Sequence, residues 1–86
     1  MNEIPKIKSV RPMENRHLLV SFFNGSLKDY DCNQILHLPA FQMLKNDSFF
    51  KQAKADAGGY GISWNDEVDL SEYELWANGK KLPEKT

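Results

Sequence analysis

Three carboxylates, Asp66, Glu67 and Asp69, follow Trp64 closely along the chain. Carboxylates grouped this way can hold a metal ion or share acid and base work, if a concave pocket raises one of their pKa values. A calcium loop would need alternating oxygen ligands and a bidentate glutamate at the twelfth position, and this run lacks that pattern. The plainer reading is a solvated turn that puts negative charge just ahead of a helix N-terminus, where the macrodipole favours it. Cys32 with His17 or His37 could supply a nucleophile and a base. The two histidines are far apart, and neither has a second His or Cys at metal-ligand spacing. Cys32 follows Tyr30-Asp31 at a strand end with no signature around it, so a buried structural thiol is the better assignment. Gly58-Gly59-Tyr60-Gly61 lacks the Gly-Lys-Ser/Thr ending of a phosphate loop, and a strand follows it. Tyr60, Trp64, Tyr73 and Trp76 could stack on bases, but without interleaved basic residues they read as core. Lys6, Lys8 and Arg11 form a modest basic run suited to blunting an edge strand. No metal set, cofactor motif or catalytic constellation is assembled in this pattern.

The stretch from Gly58 to Gly79 must position most of these groups. Gly58-Gly59 is a turn pair that tolerates positive φ. Tyr60, Ile62 and Trp64 then alternate with Gly61 and Ser63, which predicts a strand with those three on one buried face. Asn65-Asp66 breaks the strand. Ser71 with Glu74 three residues on is a capping box, and Leu70 with Leu75 is a hydrophobic staple. Gly79 falls where a helix takes a left-handed C′ residue. Trp64 is therefore expected in the core against this helix, through Leu75 or Trp76.

Earlier in the chain, residues 1–12 predict an edge strand with a bulge, because Ile4, Ile7 and Val10 recur every third residue and Pro5 and Pro12 disfavour a helix. His17 to Phe23 is the clearest strand, with Leu18, Val20 and Phe22 on one face. A two-residue turn at Asn24-Gly25 would place Asp29 and Asp31 on the apolar face, at several kcal/mol if buried. A three-residue loop, Phe23-Asn24-Gly25, with Gly25 left-handed, instead sets Leu18 opposite Tyr30 and Val20 opposite Lys28. Tyr30 and Cys32 then face inward and the aspartates outward, and this register is preferred. Asn33 to Leu38 predicts a helical turn with Ile35 and Leu38 inward. Pro39 suits a first helical position, Phe41 and Leu44 share a face, and Asp47 is the expected cap of a turn from Ser48 to Lys51. Ala53 to Ala57 reads as a strand of small residues.

The order β-β-β-α-β-β-α predicts an α+β fold: a small, mostly antiparallel sheet with short helices on one face. One compact domain is expected over residues 1–79, with a polar tail over 80–86. The 86 residues carry 11 basic and 12 acidic side chains, a formal net charge of −1. No global excess of positive charge drives phosphate binding, so direct nucleic-acid contact is not favoured. A hydrophobic fraction of 41% argues against disorder. One cysteine excludes an internal disulfide. No apolar run approaches a membrane span and the first nine residues lack an apolar signal core, so a cytoplasmic location is expected.

Together these pieces resemble a known family. Lys6-to-Pro12, Leu18-x-Val20-x-Phe22-x-Asn24-Gly25, Tyr30-Asp31-Cys32, Phe41-x-x-Leu44 and Gly61-Ile62-Ser63-Trp64-Asn65, closing with Asp69-Leu70 and Leu75-Trp76, are similar to the prokaryotic domain of unknown function 2442. The chain departs from the usual pattern at Asn24, where the family has Asp, and at Asn65, where Pro often follows the tryptophan. The resemblance implies a compact bacterial, cytosolic α+β domain and supplies no catalytic residue. Some relatives resemble one half of toxin–antitoxin-like gene pairs, and some carry a fused helix-turn-helix, which is not expected in this chain. The expectation is a non-catalytic interaction or accessory module, antitoxin-like, whose protein partner is a small toxin-like protein encoded nearby. Self-association into a homo-oligomer stays open. Trp64, Asp66, Asp69 and Trp76 are the candidate interaction surface. The alternatives are a small-ligand binder or enzyme using the carboxylates near Trp64, and a nucleic-acid-associated regulator acting through a partner.

Overall fold

A computed structural model describes residues 4–83. Its centre is the hairpin of β2 (His17–Phe22) and β3 (Leu27–Asp31). Leu18 pairs with Tyr30 and Val20 with Lys28, the register set by the three-residue loop. Gly25 has φ +90°, and its N–H donates to the Phe22 carbonyl at 3.0 Å. The Phe22 N–H donates to the Ser26 carbonyl at 3.0 Å, closing the loop. Tyr30 and Cys32 are fully buried, and Asp29 and Asp31 point away from the core side. Lys28 is left at an inner-face position. It is accommodated because its ammonium lies 4.1 Å from the Trp76 ring centroid and donates to the Trp76 carbonyl. Burial, helped by Lys81, holds its pKa below the usual lysine value.

β1 (Ile7–Pro12) pairs antiparallel with β2 and is an edge strand of its sheet. The register slips between Ile7 and Ser9, so Ile7 stands opposite Phe22 and Val10 opposite Val20. The bulge converts a three-residue spacing into two inward side chains. Residues 1–3 of the expected first strand lie outside the described residues. The same sheet has the order β1-β2-β3-β7. Its last strand, β7 (Lys80–Leu82), corrects the expected polar tail: Leu27 pairs with Leu82 and Asp29 with Lys80. Residues 84–86 of that tail lie outside the described residues. A second antiparallel sheet, β4-β5-β6, holds Lys54–Ala55, Gly61–Ser63 and Asp69–Ser71. The α+β class holds, with the strands divided between two sheets and with β6 and β7 added to the predicted order.

The connection after β3 is largely 3-10 helix, at Cys32–Ile35 and Pro39–Lys45, followed by the single α-turn α1 (Asp47–Phe50). Pro39 opens its helix as expected, and the spacing of three between Phe41 and Leu44 is the 3-10 repeat. Leu38 is not inward: it is 38% exposed and precedes Pro39 in extended backbone. Asn46, not Asp47, caps α1, accepting from the Phe49 N–H at 2.9 Å. The helix α2 (Glu72–Asn78) starts at Ser71, whose hydroxyl accepts from the Glu74 N–H at 3.1 Å. The reciprocal half of the capping box is replaced, because the Glu74 carboxylate accepts from the buried Tyr30 hydroxyl at 2.7 Å. That bond ties α2 to the central hairpin. Leu70 and Leu75, the staple pair, are both buried in one core cluster with Ile7, Phe22, Leu44, Phe50 and Ile62.

Two positions in the Gly58–Gly79 block depart from expectation. Tyr60 is 63% exposed, because it closes the Gly58-Gly59 turn in αR backbone and the strand begins only at Gly61. Gly79 is extended, not left-handed. A Cβ there would lie 2.5 Å from the Leu75 carbonyl oxygen and 3.1 Å from the Lys28 Cβ, so glycine is required by close approach and not by φ.

Candidate functional site

The residues singled out near Trp64 do not form one site. Trp64 is buried, its indole N–H donates to the Phe50 carbonyl at 2.9 Å, and its ring lies 6.3 Å from that of Phe50. Its aromatic neighbour is thus on α1, and it shares the core cluster with Leu75 of α2. Trp76 meets Phe22 edge-on at 5.1 Å, on the inner side of the four-stranded sheet. Asn65 organises the turn that follows Trp64: its side-chain oxygen accepts from the N–H groups of Glu67 and Val68, both at 2.8 Å. The Trp64 N–H donates to the Val68 carbonyl at 2.9 Å. Asp66 and Glu67 on this turn, and Asp69 at the start of β6, are exposed to water. Among the described residues no group of three His, Cys, Asp or Glu side chains is placed to hold a metal ion.

Cys32 is fully buried, and burial followed by the charge of Asp31 pushes its thiol up to about 12. A thiol so protonated is no nucleophile at neutral pH. The basic run is divided. The Lys6 ammonium pairs with Glu72 at 2.9 Å and lies 4.2 Å from the Tyr60 ring centroid, while Lys8 and Arg11 are exposed on β1.

The residues that do converge lie on the outer face of the four-stranded sheet, away from Leu18, Val20 and Phe22. The register sets Arg11, Leu19, Asp29 and Lys80 in one row across the strands, with Ser9, Ser21, Leu27 and Leu82 in the next. Leu19, Leu27 and Leu82 are only partly buried. At one end of this face is a depression of about 420 Å³ lined by Met13, Glu14, Asn15, His17, Leu19, Asp29 and Leu82. His17, in its lining, stands between two carboxylates: Nδ1 is 2.7 Å from Asp29 Oδ1, and Nε2 is 3.7 Å from Asp31 Oδ1. Burial opposes ionisation of Asp31, but the Asn33 backbone and amide N–H groups both donate to it and His17 lies opposite, so its pKa falls below the usual value. A carboxylate oxygen thus faces each ring nitrogen of His17.

The loop that walls the depression is held in an uncommon conformation. Asn15 and Arg16 have φ of 59° and 63°, in the left-handed region. Several bonds hold it there. The Met13 N–H donates to the His17 carbonyl at 2.7 Å, and Asn33 donates to the Asn15 carbonyl at 2.7 Å. The Arg16 guanidinium donates to Asp47 at 3.0 Å and to the Lys45 carbonyl at 2.8 Å, and lies 5.3 Å from the Phe50 ring centroid. A second depression, of about 630 Å³, shares Met13, Glu14 and Asn15 and adds Arg11, Arg16, Asp47 and Lys51.

Sequence reasoning placed none of this in a site, although one signal was present. The preferred register, Leu18 opposite Tyr30, also sets His17 opposite Asp31 and one step from Asp29. Leu82 was out of reach, because its strand was read as tail. No helix among the described residues is long and apolar enough to cross a membrane. No curated protein and no solved structure matches the chain. The family model described as "Protein of unknown function (DUF2442)" matches residues 7–81, nearly the whole chain, and the chain therefore belongs to that family.

Proposed function

We propose that this domain is a non-catalytic protein-interaction module that docks a protein partner on the outer face of its four-stranded sheet. The observation that carries the reading is the face itself: a partly open aliphatic centre of Leu19, Leu27 and Leu82, bordered by Arg11, His17, Asp29 and Lys80, beside a depression. An apolar centre with a polar, charged rim is the anatomy of protein interfaces. Several side chains of chemically capable type are engaged in holding the fold: Cys32 in the core, Tyr30 on Glu74, and Trp64 on the Phe50 carbonyl. An antitoxin-like accessory role, with a small toxin-like protein as partner, is the form of this reading that the family resemblance favours.

The test is affinity capture of the tagged full chain from its source cell, with Leu19→Glu as the matched control. Wild type should retain one stoichiometric partner, or associate with itself, and a Leu19→Glu protein with an unchanged circular-dichroism melt should not. Equal capture by both proteins, or neither a partner nor self-association, overturns the proposal.

A further inference from the structure

We infer that the depression at the end of this face receives a cationic side chain, lysine or arginine, from the docked partner. The inference rests on the interaction reading above and deepens it. The lining divides by chemistry. Met13, Leu19 and Leu82 are aliphatic, and Met13 is 46% exposed. Glu14 and Asp29 are carboxylates, and Asn15 adds an amide. An aliphatic stem ending in a cation matches both halves, since lysine and arginine lay their methylenes on apolar surface and keep the charged head at its wet edge. Asp29 engages His17 through Oδ1, and its other oxygen completes a carboxylate able to accept a second donor. Arg11 and Lys80 share a row with Leu19 and Asp29 but are absent from the lining, which holds the two carboxylates and His17 but no lysine or arginine. An anionic ligand would meet Glu14 and Asp29 directly. The volume, about 420 Å³, is at the small end of the range for ligand sites, suited to one or two side chains.

The experiment is an amide chemical-shift titration of the full chain with N-acetyl-arginine amide. N-acetyl-norleucine amide serves as the uncharged stem and N-acetyl-glutamate amide as the anionic control. The arginine probe should shift the amides of Asn15, Leu19, Asp29 and Leu82 saturably. Norleucine should bind at least about fivefold more weakly, and so should arginine to the Glu14→Gln/Asp29→Asn double variant. Both substitutions keep the shape and a side-chain oxygen, and an unchanged melt shows that the variant is folded. No saturable shift at these amides, equal binding of norleucine, preferred binding of glutamate, or unchanged affinity in the double variant overturns the inference. If arginine fails while Leu19→Glu still abolishes partner capture, the cation assignment is wrong and the interaction face stands. If arginine binds but capture is unaffected by Leu19→Glu, the face has been misassigned.

Discussion

Truncating Trp64 to alanine tests whether the Gly58–Gly79 block is structural. The side chain is 4% exposed. A buried tryptophan removes about 150–250 Å² from water, worth about 4–6 kcal/mol at about 25 cal/mol per Å². Measured truncations of buried Trp or Phe to Ala cost about 3–5 kcal/mol. Trp64→Ala also leaves the Phe50 carbonyl without its indole donor, a further cost of about 1 kcal/mol. Against this total, a chain of 86 residues at about 0.05–0.15 kcal/mol each has a stability of about 4–13 kcal/mol. At about 4–8 °C per kcal/mol for a domain of this size, the melting temperature should fall by at least about 15 °C, or the transition should vanish. Far-ultraviolet circular dichroism with heating, and urea titration at fixed temperature, read this directly. Trp64→Phe, which keeps most of the ring area and loses the N–H, should cost about 1–2 kcal/mol. Asp66→Ala, on the exposed turn, should stay within about 0.5 kcal/mol of wild type. A cooperative Trp64→Ala melt within about 5 °C of wild type would refute the core assignment.

Other perturbations separate local causes. Asp31 has a folded pKa below its ordinary value, so its stabilising contribution is complete above the unfolded carboxylate pKa and is lost as pH falls through the folded one. The stability gap between wild type and Asp31→Asn should therefore be widest near neutrality and close as the solution is acidified through the carboxylate range; a gap that widens in acid contradicts this sign. The buried, protonated Cys32 thiol should resist a soluble aromatic disulfide reagent in the native state and react only in urea; rapid native labelling would show the thiol to be accessible. Gly25→Ala meets only its positive φ and should cost about 1–2 kcal/mol. Gly59→Ala combines a φ of +76° with a Cβ 2.6 Å from the Ile7 carbonyl oxygen, so it should cost clearly more; equal melts for the two variants would show that β1 yields easily.

What was legible in the sequence followed from penalties large enough to leave one choice. Two aspartates could not be buried, and that alone selected the Phe23-Asn24-Gly25 loop and the β2–β3 register. The three-residue spacing of Ile7 and Val10 fitted no regular element and therefore marked a bulge. Ser71 announced α2 because its hydroxyl satisfies an N–H that the helix leaves unpaired. The failures share a different cause. Gly79 carries the same letter whether it must reach positive φ or let Lys28 and the Leu75 carbonyl approach, and only tertiary structure distinguishes the two. β6 and β7 span three residues each, too short for a periodic signal. Missing β7 hid the outer-face row that ends in Lys80 and the aliphatic patch that includes Leu82. The register that brings His17 and Asp29 together was thus legible in the two central strands, whereas the site itself was not recognised and depended in part on the last strand.

The arrangement of the sheet also bears on how a partner could dock. Strand addition needs a free edge. The edge at β1 is approached by the Gly59 turn, where even a Cβ would collide with the Ile7 N and O atoms. The edge at β7 is three residues long, contains Lys80 and Lys81, and is followed by Pro83, which has no N–H to donate. Short length, lysine and proline are the devices that keep natural edges from pairing. The inner face is occupied by Tyr30, Phe22 and Trp76. The outer face remains, and docking there, as proposed, would use side chains rather than backbone pairing. A decisive comparison relaxes the β7 edge with Lys81→Val and Pro83→Ala while leaving Leu19 in place. If the partner adds a strand, this variant should bind it more tightly than wild type. If the partner docks on the face, affinity should be unchanged, whereas Leu19→Glu with an intact β7 should lose at least about tenfold, the effect of replacing an aliphatic side chain at the centre of an interface with a charge that must be desolvated. A gain in affinity from the relaxed edge would move the site from the face of the sheet to its rim.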